Sequence, residues 1–156
     1  MSTRKYNEIQ YAWLNTVLLV IVLVCFTVSF LRGTGSNPID RHGFIIIGAI
    51  LLISLLSFYR LKISIYDKTI HLVYGIGLIH IKLRPESIKE IRAVKTSVLA
   101  GWGIRFTMDG MLYNVKGRKA VRCIYGTKKT KTARIGTSNP EKLIQAIRVE
   151  FLDSQQ

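Results

Sequence analysis

Residues 11–31 read YAWLNTVLLVIVLVCFTVSFL, twenty-one positions without a formal charge. At 1.5 Å rise per residue this run makes a helix roughly 31 Å long, enough for the hydrocarbon core of a bilayer. Its polar members, Asn15, Thr16, Thr27 and Ser29, are small or near the ends, and Tyr11 and Trp13 fall where an interfacial aromatic belt would lie. Outward from this run, residues 32–42 hold Gly-Thr-Gly-Ser-Asn-Pro, a turn-rich connector. Residues 43–59, GFIIIGAILLISLLSFY, form a second apolar run at the short end of the spanning range. A helix of a soluble domain keeps a polar face over such lengths, and neither run has one. The pattern predicts a transmembrane helical hairpin over 11–59 (helices 11–31 and 43–59, loop 32–42) after a cytoplasmic N-terminus, residues 1–10. Arg4 and Lys5 precede the first run as in a signal peptide, but the apolar stretch is too long and lacks an Ala-x-Ala-like site. Leu23-Val24-Cys25-Phe26 also lacks the small residue that precedes a lipoprotein cysteine.

Charge sets the expected orientation. The chain has 23 Lys and Arg against 9 Asp and Glu, and residues 60–156 carry 19 of the former and 7 of the latter. The connector holds only Arg32, Asp40 and Arg41. The positive-inside rule then predicts a multi-pass protein of the cytoplasmic (inner) membrane with both termini cytoplasmic. That accounts for much of the basic excess without a polyanionic partner. Cys25 would lie within the bilayer and Cys123 in a reducing compartment, so no disulfide is expected.

After Arg60 the period changes to two. Leu61, Ile63 and Ile65 alternate with Lys62 and Ser64, Asp67-Lys68 turns the chain, and Ile70, Leu72 and Tyr74 follow. A turn at 75–77 leads to Ile79, Ile81 and Leu83, and Pro85 ends that strand. Further strands are expected at 87–95, 100–106, 111–115, 120–125 and 131–136. Asp109-Gly110 marks one hairpin and residues 126–130 another. Ser138-Asn139-Pro140-Glu141 reads as a capping box with an early proline, opening a helix over 139–152 whose Leu143, Ala146, Ile147 and Phe151 share a face.

Gly101-Trp102-Gly103-Ile104-Arg105, Asp109-Gly110, Leu112-Tyr113-Asn114-Val115, Gly117-Arg118-Lys119-Ala120-Val121 and Ile135-Gly136-Thr137 before Asn139-Pro140-Glu141 are similar in order to the bacterial pleckstrin-homology-like (PH-like) domain of short membrane proteins. The resemblance spans roughly residues 61–152. It implies a mainly-β cytosolic domain, 60–156, of two nearly orthogonal antiparallel sheets (about seven strands) with the C-terminal helix capping one open end. It also implies a noncatalytic binding or scaffold role.

Several residues are candidate contacts. Lys128, Lys129, Lys131 and Arg134 cluster at one turn and could meet anionic lipid. Phosphoinositide-binding relatives carry basic residues on a long loop between their first two strands, and Asp67-Lys68 offers no such loop. If the strand after Arg60 rises from the membrane, the next one returns, so the turn around Ile76 should be membrane-proximal, supported by Arg60 and Lys62. Trp102 and Tyr113 could line a partner groove. His71 and His80 would face each other across a two-residue turn, but two ligands make no metal site, and no metal or cofactor is expected. No nucleophile elbow, phosphate loop or separated carboxylate pair is present, so no enzyme is expected. Basic residues are spread over nearly every strand and form no single stripe, which argues against nucleic acid. The implied partners are the lipid bilayer and a protein met at a sheet edge, with a homo-oligomer left open. The alternatives are anionic-lipid recognition and a small accessory subunit of a transporter or secretion complex, packed through Gly43, Gly48 and Ala49.

Overall fold

A computed structural model describes residues 6–33, 39–96, 103–127 and 129–151. Its elements are strand β1 (Tyr6–Tyr11), helices α1 (Trp13–Arg32) and α2 (Arg41–Phe58), strands β2 (Arg60–Tyr66), β3 (Thr69–Tyr74), β4 (Ile79–Leu83), β5 (Ile88–Lys95), β6 (Gly103–Thr107), β7 (Gly110–Asn114), β8 (Lys119–Tyr125) and β9 (Lys131–Gly136), and helix α3 (Pro140–Phe151).

Both apolar runs are helical and long and apolar enough to cross a membrane. In α1 the hydroxyls of Thr16 and Thr27 donate to the carbonyls of Ala12 and Leu23, four residues back, so neither is left unpaired on an apolar rod. Gly33 closes the helix in the left-handed conformation, with Arg32 in the last turn. Asp40 caps α2, its Oδ1 accepting from the Gly43 amide at 3.0 Å. The helices run antiparallel, with the Phe44 ring stacked 3.9 Å from Phe30 and 5.3 Å from Phe26. No residue of α1 is buried, and in α2 only Ser57 is.

The N-terminal segment departs from expectation. Residues 6–11 are no tail: they form β1, paired antiparallel with β2 from Tyr6↔Ile65 to Tyr11↔Arg60. The amide of Ala12 donates to Tyr59 O at 2.8 Å, closing the pair at its helical end. The first two strands of the domain are therefore joined by the whole α1–α2 hairpin, and Asp67-Lys68 links the second to the third. This corrects the loop assignment on which the comparison with phosphoinositide binders rested. Asp67 and Lys68 both take positive φ, 52° and 49°, as a two-residue hairpin turn of matching twist requires.

Sheet A has the order β1-β2-β3-β4 and sheet B the order β5-β8-β9-β7-β6, nine strands among the described residues in place of about seven. Sheet A is antiparallel throughout. Sheet B is not, because β8–β9 inserts as a hairpin between β5 and β7, which leaves β9 parallel to β7. Leu61, Ile63 and Leu72 of sheet A meet Val121 and Ile135 of sheet B in one core. Leu143, Ile147 and Phe151, spaced by four, bring α3 into it.

The new first strand is tied to sheet B by polar groups. Glu8 accepts from the Tyr6 and Thr137 hydroxyls at 2.6 Å each and from the Ser138 amide at 2.8 Å. Gln10 Nε2, buried, donates to Gly136 O at 2.9 Å. Burial and the adjacent carboxylate together hold the Tyr6 phenol well above its usual range. Replacing Glu8 with Ala orphans these donors, and we expect a loss of about 2–3 kcal/mol of stability. Denaturant melts of wild type and Glu8→Ala check it; equal midpoints would contradict the assignment.

Candidate functional site

The geometry concentrates where helices meet sheets. Beyond the Ala12 to Tyr59 bond, the Gly75 amide donates to Arg60 O and the Arg60 Nε to Gly75 O, both at 2.8 Å, and the Ile76 amide reaches Leu56 O at 3.2 Å. The β3–β4 turn, residues 75–78, is thereby fastened to the last turn of α2. Gly75 has φ +57°, and a Cβ there would run into the carbonyls of Leu56 and Ser57. Ile76 and Leu78 are more than half exposed beside this seam. The Arg60 guanidinium lies 5.4 Å from the Tyr59 ring centroid, within cation–π range. Phe58 meets the buried Tyr74 ring edge-on at 6.0 Å.

Sheet B reaches the same end. A cleft of about 280 Å³ is lined by Ala12, Trp13, Leu14, Val115, Lys116 and Gly117, so the loop after β7 abuts the first turn of α1. A second cleft, about 390 Å³, runs on past Lys116, Arg118, Lys119 and Lys95 to Thr137 and Ser138. The Thr96 amide donates to Arg118 O at 2.7 Å, which brings the end of β5 onto this basic rim.

The expected site residues separate into groups. Arg60 and Ile76 sit at the helix–sheet seam, with Lys62 one step along the same face of β2. Lys129 and Lys131 lie at the turn between β8 and β9, at the end of sheet B opposite the one that meets α1 and α2. Seven residues of β8, about 20 Å, lie between Lys131 and that rim. Lys128 and Trp102 lie outside the described residues. Arg134 is not a turn residue: it is in mid-strand and pairs with Asp109. Tyr113, expected at a groove, is 6% exposed within the core cluster, and burial raises its phenol pKa. It fills the core because its neighbour across β9 is Ile135.

His71 and His80 do meet, though not as a directly opposed pair. The turn has four residues, so His71 faces Lys82 and His80 faces Val73. Their rings touch on the diagonal, His71 Nδ1 to His80 Nε2, at 3.0 Å. Among the described residues no group of three His, Cys, Asp or Glu could hold a metal. Tyr66 stacks on His71 at 4.1 Å.

One feature escapes the sequence reading. Arg92 pairs with Arg122, Arg122 with Arg134, Arg134 with Leu112 and Leu112 with Arg105, which sets four arginines and one leucine in a single row across all five strands of sheet B. Val121, Ala133, Ile135 and Tyr113 turn into the core, so this row faces outward. Four of the basic residues that look diffuse along the chain are aligned by register. No local signal reveals that, since the β5–β8 and β7–β9 pairings are long-range.

Compared with known proteins, the chain matches no family model, no curated protein and no solved structure.

Two outcomes are expected. Gly75→Ala forces a side chain onto two carbonyls in a left-handed conformation, costing about 3 kcal/mol or more; a melting midpoint unchanged from wild type would refute the seam. Burial first, then the charges of His80, Lys82 and Arg84, lower the His71 pKa from 6.5, with Asp67 opposing. A depressed base stabilises the fold above its ordinary pKa and loses that contribution as pH falls below it. Wild type should therefore lose stability between about pH 7 and pH 5, and His71→Gln should lose less; identical pH profiles would remove His71 as the cause.

Proposed function

We propose that the chain is a membrane-anchored, noncatalytic binding or scaffold module whose β domain has PH-like architecture and engages a protein partner at the cytoplasmic (inner) membrane surface. The observation that carries this reading is the splice. Two helices with almost wholly exposed apolar surfaces leave and re-enter the domain between the paired neighbours β1 and β2. Such surfaces need an apolar solvent, and the seam at Gly75 and Ala12 fixes the domain against their base. The excess of Lys and Arg in residues 60–156 favours a cytoplasmic domain, with both termini on that side and two spans.

Confinement gives such a module its effect. A weak contact with a second membrane-bound protein is strengthened by the high effective concentration of two tethered chains. Among the described residues β4 and β6 are sheet edges, which offers strand addition as one mode of contact. Phe106 of β6 is 86% exposed.

A second reading, contact with anionic lipid headgroups, is favoured by Lys116 beside the exposed Trp13 in the cleft at the base of α1, with Arg118, Lys119 and Lys95 continuing the rim. An accessory-subunit role would use the helix faces instead. Gly48 opens onto free space, as close helix packing would need, whereas Gly43 sits against Asp40 and Ile39 at the cap of α2.

Gentle detergent solubilisation of the tagged full chain, followed by mass spectrometry, tests these readings together. The scaffold reading predicts a stoichiometric protein that is lost when the domain surface is altered, with the chain still in the membrane fraction. Retention of anionic lipid alone, reduced by Lys116→Gln with Lys119→Gln and not by Lys129→Gln with Lys131→Gln, would contradict it and support the lipid reading.

A further inference from the structure

The arginine row is an arrangement that folding alone does not favour. Like charges directly opposite on neighbouring strands are destabilising, yet Arg92, Arg122 and Arg134 occupy adjacent positions on β5, β8 and β9. With Arg105 on β6 the row spans four strand spacings, about 19 Å. Leu112, between Arg134 and Arg105, is fully buried although it lies on the outward face and outside the core cluster, as it would be beneath long aliphatic stems. The Nε groups of Arg122 and Arg134 are buried without a hydrogen-bond partner among the described residues.

Two carboxylates already touch the row. Glu90 meets Arg92 at 3.0 Å, and Asp109 meets Arg134. Four guanidinium groups against two carboxylates leave a net positive surface with planar, bidentate donors. The row's outward-facing neighbours on β5, β8 and β9 include Val94, Ala120, Ile124 and Thr132, which are aliphatic or small. The nearby Tyr125 belongs to the core side. Among the described residues this face carries no exposed ring, and so lacks the stacking platform of a single-stranded nucleic-acid site. Glu90 and Asp109 show the ligand type that the row accepts.

We propose that the outward face of sheet B is a docking surface for an acidic peptide segment of a partner protein, ligated by carboxylates along the row Arg92, Arg122, Arg134 and Arg105. This rests on the binding-module reading and names the chemistry of the partner. Carboxylates of the segment pair with Arg122 and Arg105, and exchange with Glu90 and Asp109 at Arg92 and Arg134. Its aliphatic groups lie on Ile124 and Val94.

The test uses the full chain in zwitterionic nanodiscs and a fluorescent oligoglutamate peptide, read by anisotropy at low and moderate salt. Saturable, salt-sensitive binding is expected. Arg92→Gln with Arg105→Gln, both exposed positions, should weaken it by roughly tenfold. Lys129→Gln with Lys131→Gln makes the same charge change at the far turn and should weaken it by less than about threefold. Arg92→Lys with Arg105→Lys keeps the charge without the planar fork and should fall between them; Arg105→Gln alone serves if a double variant fails to fold. No saturable binding by wild type, equal losses in the arginine and lysine pairs, or tighter binding of an oligouridylate RNA would each overturn the proposal. A partner captured from the membrane that carries no acidic segment, or is held through another face, would also overturn it while leaving the binding-module reading intact.

Discussion

The pairing of Tyr6–Tyr11 with Arg60–Tyr66 is the constraint on which the rest of the structure depends. Six residues before the helices and six after them, 60–65, form one antiparallel ladder, so 48 intervening residues, 12–59, are a hairpin connection of unusual size. The ladder brings the base of α1 and the base of α2 to adjacent strands, and the Ala12 to Tyr59 hydrogen bond closes it. A domain merely trailing from a single anchor would be free to tumble on its linker. Here the chain crosses between domain and hairpin twice at neighbouring points, and the β3–β4 turn braces against α2 through Gly75 and Ile76. Orientation of the domain relative to the hairpin is thereby a property of the fold.

That orientation gives the basic surfaces different meanings. Lys116 and Arg60 stand at the helical end, beside Trp13 and Tyr59. Lys129 and Lys131 stand at the other end of β8, well beyond a Debye length of about 8 Å from the seam at physiological salt. The arginine row lies between, on a side face of sheet B. The total charge of +14 is therefore spread over three separate places: the helical end, a side face of sheet B and the turn between β8 and β9. The first strand also links the sheets, since Glu8 and Gln10 reach from β1 to the end of β9 and the start of α3. The helical hairpin, sheet A and sheet B are mechanically continuous through one short strand.

The helices were legible from composition: no charge over 11–31 and few polar groups over 43–59 make two helices long and apolar enough to cross a membrane. Strands β2 to β4 were legible from period two and from turn chemistry at Asp67-Lys68 and Gly75. Strand β1 was not, and its pattern explains why. Its core-facing positions are Tyr6, Glu8 and Gln10, while Ile9 and Tyr11 face outward and are about half exposed. Alternation is present but inverted in polarity, because the inward face meets Thr137 and Gly136 through hydrogen bonds instead of apolar contacts. The strand count and the parallel β7–β9 pair depend on which distant segments meet, and local periodicity carries no such information. The arginine row was hidden for the same reason: Arg92, Arg105, Arg122 and Arg134 are far apart in sequence and become neighbours only through register. The Asp109-Gly110 turn and the start of a helix at Pro140 were read in place, since both are set by local chemistry, but the Ser138 amide that a capping box would give to Glu141 donates to Glu8 instead.

The most direct measurement removes the hairpin and asks whether the ladder survives. Replacing residues 13–58 with Asn-Gly, a turn suited to adjacent antiparallel strands, joins Ala12 to Tyr59 without disturbing β1 or β2. The account predicts a protein that stays soluble without detergent, unfolds cooperatively and shows the β-rich circular dichroism of an intact domain, while the full chain resists alkaline extraction from membranes. A shortened chain that is unfolded, or a full chain released by alkaline extraction, would contradict it.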